Sequence, residues 1–181
     1  DYLVLASSEL ECTTSSMVLQ MGNVGLSGGT TISSNILVSP SNLRIGDSDS
    51  LTAQADLDIA IADMSSRNLP PAHTLPSFIN NEVFTYGIYA TEGDFMVSND
   101  IEFDGLNNSF AVYIFQIGGS LTVSDDSIIS LSNLAQGTNV YWVVSGDVQI
   151  GSNVNFQGVI LASGSVASGI DLIYQGQILA K

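Results

Sequence analysis

The stretches DVQIGSNVNFQG (147–158) and SVASGIDLIYQG (165–176) are two versions of one pattern, 18 residues apart. Each continues into a similar apolar tail, VILA (159–162) and QILA (177–180), and DFMVSNDIEFDG (94–105) is a third copy of the same pattern. Apolar and polar residues alternate within each copy, as in a strand with one face buried. A recurrence near 18 residues with three short strands per repeat predicts a β-solenoid with three faces. The register follows from the shared aromatic at positions 103, 156 and 174. It turns Val148, Ile150, Val154, Phe156, Ile160 and Ala162 inward, and Val166, Ser168, Leu172, Tyr174, Ile178 and Ala180 in the next coil. A slip of one residue would reverse the assignment. A sandwich of hairpins also explains the alternation, but it does not explain the recurrence.

Looser copies extend the pattern outward, at SLTVSDDSIISL (120–131) and around VYIF (112–115) and VYWVV (140–144). One segment breaks it. From Asp49 to Arg67, Ala53, Leu57, Ala60 and Met64 recur at helical spacing and mark one apolar face. Asp47, Ser48 and Asp49 supply capping oxygens at its start, Arg67 complements its carbonyl end, and Pro70-Pro71 stops it.

Composition narrows the function classes. The chain has 181 residues, 18 Asp and Glu against three Lys and Arg, and a net charge of -15. A nucleic-acid binder needs cations to displace phosphate counterions, and an anionic membrane repels such a chain. With 45% apolar and 12% charged residues, a packed core is affordable, and the whole of 1–181 reads as one domain. Cys12 is the single cysteine, so neither an internal disulfide nor a cysteine zinc site can form. No apolar run reaches the roughly 18–20 residues of a membrane span. The start at Asp1-Tyr2 is compatible with a processed secreted protein or a trimmed domain.

The same segments carry a family resemblance. YLVLA (2–6), the Gly29–Pro40 stretch ending LVSP, the helix with Ala55-Asp56-Leu57, YGIYAT (86–91) and the run from AVYIFQIGGSLTV (111–123) through NVYWVV (139–144) to FQGVILA (156–162) resemble the microbial ice-binding (antifreeze) proteins. That resemblance implies an irregular right-handed β-helix with one helix alongside, secreted or at the cell surface. It implies adsorption to ice through a flat solenoid face, without metal or catalysis. Short, rigid side chains hold ordered water on such a face, and Thr suits it through its stiff χ1. The family's Thr-Ala/Gly-any-Thr/Asn pattern is similar to Ser152-Asn153-Val154-Asn155 in part, and departs at Ile170-Asp171-Leu172-Ile173. The face so implied comprises Ser152, Asn153, Asn155, Gln157, Asp171, Ile173 and Gln175. Thr30-Thr31 with Ser33-Ser34, and Thr122 with Ser124, would widen it if their coils stack beside it. Asp100, Glu102 and Asp104 form an acidic row whose hydration is unlike ice.

Other chemistries have less support. His73 sits in the proline-framed PPAHTLP, and Asp56 with Asp63 or Asp125 with Asp126 are the carboxylate pairs a glycosidase would require. No cofactor is implied. Calcium is the one ion for which Asp125-Asp126, Asp100 with Glu102 and Asp104, and the Asp47–Asp49 turn offer hard oxygen ligands. A structural alternative remains open. The chain ends at QILAK, a single strand into a new coil, and an uncapped solenoid end beside outward Ile170 and Ile173 would template pairing with another copy. The partners to be expected are therefore an ice surface or further copies of the chain, as in a fibre or an adhesin module.

Overall fold

The computed structural model describes residues 2–10, 17–18, 23–28, 31–32, 36–37, 42–67 and 73–181. Cys12, Thr30, Ser33, Ser34, Pro70 and Pro71 lie outside the described residues. Every strand pair among the described residues is parallel, and the coils of residues 73–132 lay one strand in each of three sheets. The coil that begins with Gly87–Thr91 continues through Phe95–Val97 to Ile101–Asp104. The next runs through Tyr113–Ile117, Leu121–Val123 and Ile129–Ser132. The first sheet has nine strands, the second five and the third three, and two small two-stranded sheets complete the described part. This is the mainly β, parallel β-helix architecture that the 18-residue recurrence predicts.

Glycines set the coil spacing at the turn from the first sheet to the second. The turn recurs as Glu92-Gly93-Asp94, Gly118-Gly119-Ser120, Ser145-Gly146-Asp147 and Ser163-Gly164-Ser165. A Cβ on Gly146 would stand 2.6 Å from the Ser120 hydroxyl of the coil below. On Gly164 it would collide with the Asp147 carboxylate. A second device bends the long strands Asn155–Ala162 and Ile173–Ala180 from the third face onto the first sheet. Gly158 and Gly176 are paired in register and hold φ of 122° and 153°, a region that L side chains rarely adopt. A side chain on Gly176 would overlap the Gly158 carbonyl.

The aromatic register mark holds. Phe103 and Phe156 are fully buried, and Tyr174 is half-buried against the same core. Rings form a continuous column: Phe115 stacks on Trp142 at 4.6 Å, Trp142 meets Phe156 at 5.5 Å, and Phe156 stacks on Tyr174 at 5.3 Å. The buried indole N–H donates to Gln157 O at 3.1 Å, which removes the cost of an unmade hydrogen bond inside the core. All six inward residues assigned to the 147–162 coil are 1% exposed or less. In the next coil Val166, Leu172, Tyr174 and Ile178 are half-buried against the core and Ala180 is buried, but Ser168 is exposed. Its strand, Val166–Ser168, is the outermost of the second sheet among the described residues, so no coil there covers it.

The helix runs Ser48–Ser66, with Asp47 as its N-cap accepting from Ser50 N at 2.8 Å. It lies across the first sheet, where Leu57 is buried among Leu5, Ile88, Ile114, Val143, Val159 and Leu161. Ala53, Ile61 and Met64 pack against the same cluster. The expected role of Arg67 needs correcting. Its guanidinium pairs with Asp63 at 2.6 Å, and Gln116 Nε2 caps the carbonyl end by donating to Met64 O at 2.6 Å and Arg67 O at 2.9 Å.

The expected open end at QILAK is also corrected. The first strand, Tyr2–Ala6, lies beside the last, with Val4 opposite Ile178 and Leu5 opposite Leu179. The first sheet therefore continues from the chain's C-terminal strand into its N-terminal coils, Asn23–Leu26 and then Leu43–Ile45. Gln54 Nε2 donates from the helix to Ala180 O at 3.3 Å, and Lys181 Nζ meets Asp58 at 2.7 Å, so helix and terminal strand are tied together.

Candidate functional site

With the helix over the first sheet, the outer surfaces of the second and third sheets face solvent. In the second sheet, register places Phe78, Met96, Thr122, Gln149 and Ala167 in one outward column, with no register shift between neighbours. Alternate residues of a strand share a face, so Asp94, Ser120, Asp147 and Ser165 flank that column on one side. Ser98, Ser124, Gly151 and Gly169 flank it on the other. The flanking acids are tied into the ladder. Asp94 Oδ1 accepts from Ser120 N at 2.8 Å and Asp147 Oδ1 from Ser165 N at 2.8 Å. Ser120 Oγ in turn accepts from Asp147 N at 3.2 Å. These bonds hold short side chains in fixed positions at strand spacing.

The third face is less regular. Its hydrogen-bonded sheet consists of Glu82–Phe84, Ile101–Asp104 and Ile129–Ser132, and a single bridge, Ile128 to Asn155, links it to the two long strands. The seven residues implied by the resemblance fall at this boundary and separate into two groups. Ser152, Asn153 and Asp171 lie at the corner between the second and third faces. There Asp126, Asn153 and Asp171 hold left-handed φ of 60°, 57° and 57°. Asp125 Oδ1 accepts from Ser152 N at 2.7 Å, and Asn153 Nδ2 donates to Asp126 Oδ1 at 3.0 Å. Asn155, Ile173, Gln157 and Gln175 form the strand group, in which Asn155 pairs with Ile173 and Gln157 with Gln175. Ile173 is 59% exposed and Gln175 exposed, whereas Gln157 is buried under the 3-10 turn Gly137–Asn139. A residue sealed beneath a turn cannot touch a flat partner.

The acidic row is structural as well as solvated. Asp100 Oδ1 accepts from Ile128 N at 2.8 Å. Asp104 Oδ1 accepts from Leu106 N at 2.8 Å and Asn133 Nδ2 at 2.9 Å, and these bonds, the backbone one foremost, hold its carboxyl below the usual carboxylate range. Among the described residues no three His, Cys, Asp or Glu side chains converge as a metal site would require. His73 is exposed and stacks on Tyr89 at 5.0 Å, and Asp63 of the Asp56 and Asp63 pair is engaged by Arg67. No described helix is long and apolar enough to cross a membrane.

Of the second-sheet column the sequence pattern singles out Thr122, and of its flanking rows Ser124. The missed signal was the Gly-Ser/Asp turn at 93–94, 119–120, 146–147 and 164–165, which starts each of those strands in the same phase.

A parallel β-helix with one sheet sealed by a helix and two left to solvent defines the class. The chain matches the family described as Ice-binding-like over residues 4–181, and it belongs to that family. Ice-binding protein 1 of Shewanella frigidimarina (strain NCIMB 400) is 35% identical over 114 residues, 61% of this chain and 13% of that protein. The ice-binding protein of Flavobacterium frigoris (strain PS1) is 30% identical over 140 residues, 76% of this chain and 50% of that protein. The chain thus spans half or less of the length of these relatives. A crystal structure of an ice-binding protein from an Antarctic biological consortium superimposes with a TM-score of 0.90 at 28% identity, covering 99% of this chain and 81% of that one.

Proposed function

We propose that this chain adsorbs to ice through the outer face of its five-stranded sheet, without bond chemistry, metal or cofactor, from outside the cell or at its surface. The observation that carries this reading is the unshifted column Phe78–Met96–Thr122–Gln149–Ala167 with its rows of Ser, Asp and Gly on either side. Parallel strands repeat at about 4.8 Å across the sheet and alternate residues at about 6.6 Å along each strand, so the side chains form a two-dimensional grid. Rigid short groups on such a grid hold water in a fixed arrangement that a crystal can extend. The ladder bonds of Asp94, Ser120 and Asp147 lower the entropy that adsorption would otherwise cost.

A second placement has its own support: Asn155, Ile173 and Gln175 lie on adjacent coils, with two of the three exposed. Thermal hysteresis and crystal shaping separate the two. Thr122→Tyr sets a ring on the central strand of the five. A gap of 0.5–1 Å already forfeits about a quarter to a half of each dispersion contact, so the coils on both sides lose theirs. Tyrosine suits a strand, and folding is retained. Shaping is expected to vanish with Thr122→Tyr and persist with Asn155→Tyr. The reverse outcome moves the site to the third face, and a wild-type protein that shapes no crystal at high micromolar concentration overturns ice binding.

A further inference from the structure

Strand partners are near in sequence in one part of the chain and remote in the other. From residue 113 onward each coil pairs with the one that follows it: Tyr113 with Val140, Tyr141 with Val159, and Val159 with Gln177. Such a stack closes short loops and grows coil by coil. The N-terminal strands have no such course. Tyr2–Ala6 pairs on one side with Asn23–Leu26 and on the other with Ile173–Ala180, where Val4 meets Ile178 and Leu5 meets Leu179. This is the widest separation in sequence of any described strand pair. Tyr2–Ala6, Asn23–Leu26 and Leu43–Ile45 are five, four and three residues long, and so small a sheet needs a packed face to stand. Residues made later supply that face, since Leu5 and Leu57 are buried together against Ile88, Ile114, Val143 and Leu161. The helix depends on the same residues. Ser50 and Leu57 are its buried side chains, and most of a helix's stability in a protein comes from packing.

We infer that Ile173–Ala180 is the latch of the fold: the three N-terminal strands and the helix assemble only after this strand has docked on Asn155–Ala162. Eight residue pairs, from Asn155 with Ile173 to Ala162 with Ala180, join the two strands without a register shift, so the latch docks as one more coil of the existing stack. Its free edge then presents the backbone groups that Val4 and Leu5 take. Gln54 Nε2 donates to Ala180 O at 3.3 Å and Lys181 Nζ meets Asp58 at 2.7 Å, which fastens the helix to the same strand. Before the latch docks, bringing Leu5 to Leu179 closes a loop of nearly the whole chain; afterwards the folded stack has already spent most of that entropy. In a chain that works outside the cell, as proposed above, the leading part cannot fold on either side of an export channel until residues 173–180 arrive there. The folding order itself does not depend on where the chain works.

Refolding of the intact chain from guanidinium, with pulsed hydrogen exchange read on peptic fragments, tests the inference. Trp142, the single tryptophan and fully buried in the stack, reports the first phase by fluorescence. Protection over 113–117 and 140–144 is expected with that phase, and protection over 2–6, 23–26 and 48–66 no earlier than over 173–180. Leu179 faces Leu5 and packs against the helix cluster. Leu179→Ala is therefore expected to slow protection of 2–6 and 23–26 by on the order of 10-fold, with 113–117 and 140–144 at the wild-type rate. Leu179→Val leaves a smaller cavity and shifts the same segments by a smaller factor, which keeps the test available if the alanine variant does not fold. Protection over 2–6 or 23–26 ahead of 173–180 overturns the inference, as does a Leu179 variant that slows every segment equally.

Discussion

Gln116 is the residue whose removal reports most directly on how the helix is held. Its side-chain amide makes two hydrogen bonds to carbonyls that an α-helix leaves unpaired at its end, Met64 O at 2.6 Å and Arg67 O at 2.9 Å. Gln116→Met keeps the length and volume of the side chain and deletes only the donors. The bond to Met64 is partly buried, so its loss leaves a carbonyl short of a partner at a cost of about 1–1.5 kcal/mol. The exposed bond to Arg67 is largely replaced by water and adds at most about 0.5 kcal/mol. The total is about 1–2 kcal/mol. For a domain of this length each kcal/mol moves the midpoint by about 2–4 °C, so calorimetry should read a fall of about 2–8 °C. Amide exchange should accelerate in the last helical turn before it accelerates at Leu57, because the loss acts on one end. Ice shaping by the folded fraction should be unchanged, since the second sheet faces another direction. A midpoint equal to the wild type, with unaltered exchange at residues 61–66, would refute the assignment of Gln116 as the lock.

Three further outcomes follow from the same geometry. Trp142→Phe preserves the ring column but leaves Gln157 O unpaired, and urea titration should register a loss of about 1–3 kcal/mol. Asp47→Asn keeps a competent cap and removes the charge, so it isolates the carboxylate. Ser50 N and the neighbouring groups hold the Asp47 pKa below 3.8, so its contribution is present above that pH and is lost as pH falls through the lower folded value. The gap between wild-type and Asp47→Asn midpoints should accordingly be widest near neutrality and close below pH 3.8. Calcium added to the chelator-treated protein should leave the thermal midpoint unmoved, because Asp125 and Asp126 already accept bonds from Ser152 N and Asn153; a saturable rise would revive a bound ion.

What was legible in the sequence was whatever repeats within one coil. Burial alternates with period two, and the aromatic at 103, 156 and 174 fixed its phase, so the core of the 147–162 coil could be read residue by residue. The helix was legible for the same reason, its buried face recurring near every fourth residue. Stacking order was not. The contact of Tyr2–Ala6 with Ile173–Ala180 joins the two ends of the chain, and no local pattern encodes which apolar strand meets which. Both YLVLA and QILA read as buried strands, and either could have stood at an edge. The reading of an exposed C-terminal end failed there, because edge strands and central strands of a parallel stack carry the same apolar composition.

The choice between the two outer faces turns on the same limit. Outward residues of a solenoid bear no burial pattern, so nothing in SNVN (152–155) or in LTV (121–123) separates a strip that lies open from one that a neighbouring turn overhangs. Gln157 shows the consequence: its alternation marks it as outward, correctly, yet the Gly137–Asn139 turn arriving from another coil removes it from solvent. On the second sheet the turns at 92–94, 118–120, 145–147 and 163–165 are only three residues long, and Gly146 and Gly164 lie so close to the coil below that a Cβ there would collide with it, so none of these turns reaches over the face. The tight turn that sets the spacing of that sheet is thus also what keeps its surface open. A face suited to a flat crystal should be sought where inter-sheet turns are shortest, and in this chain they border Met96, Thr122, Gln149 and Ala167.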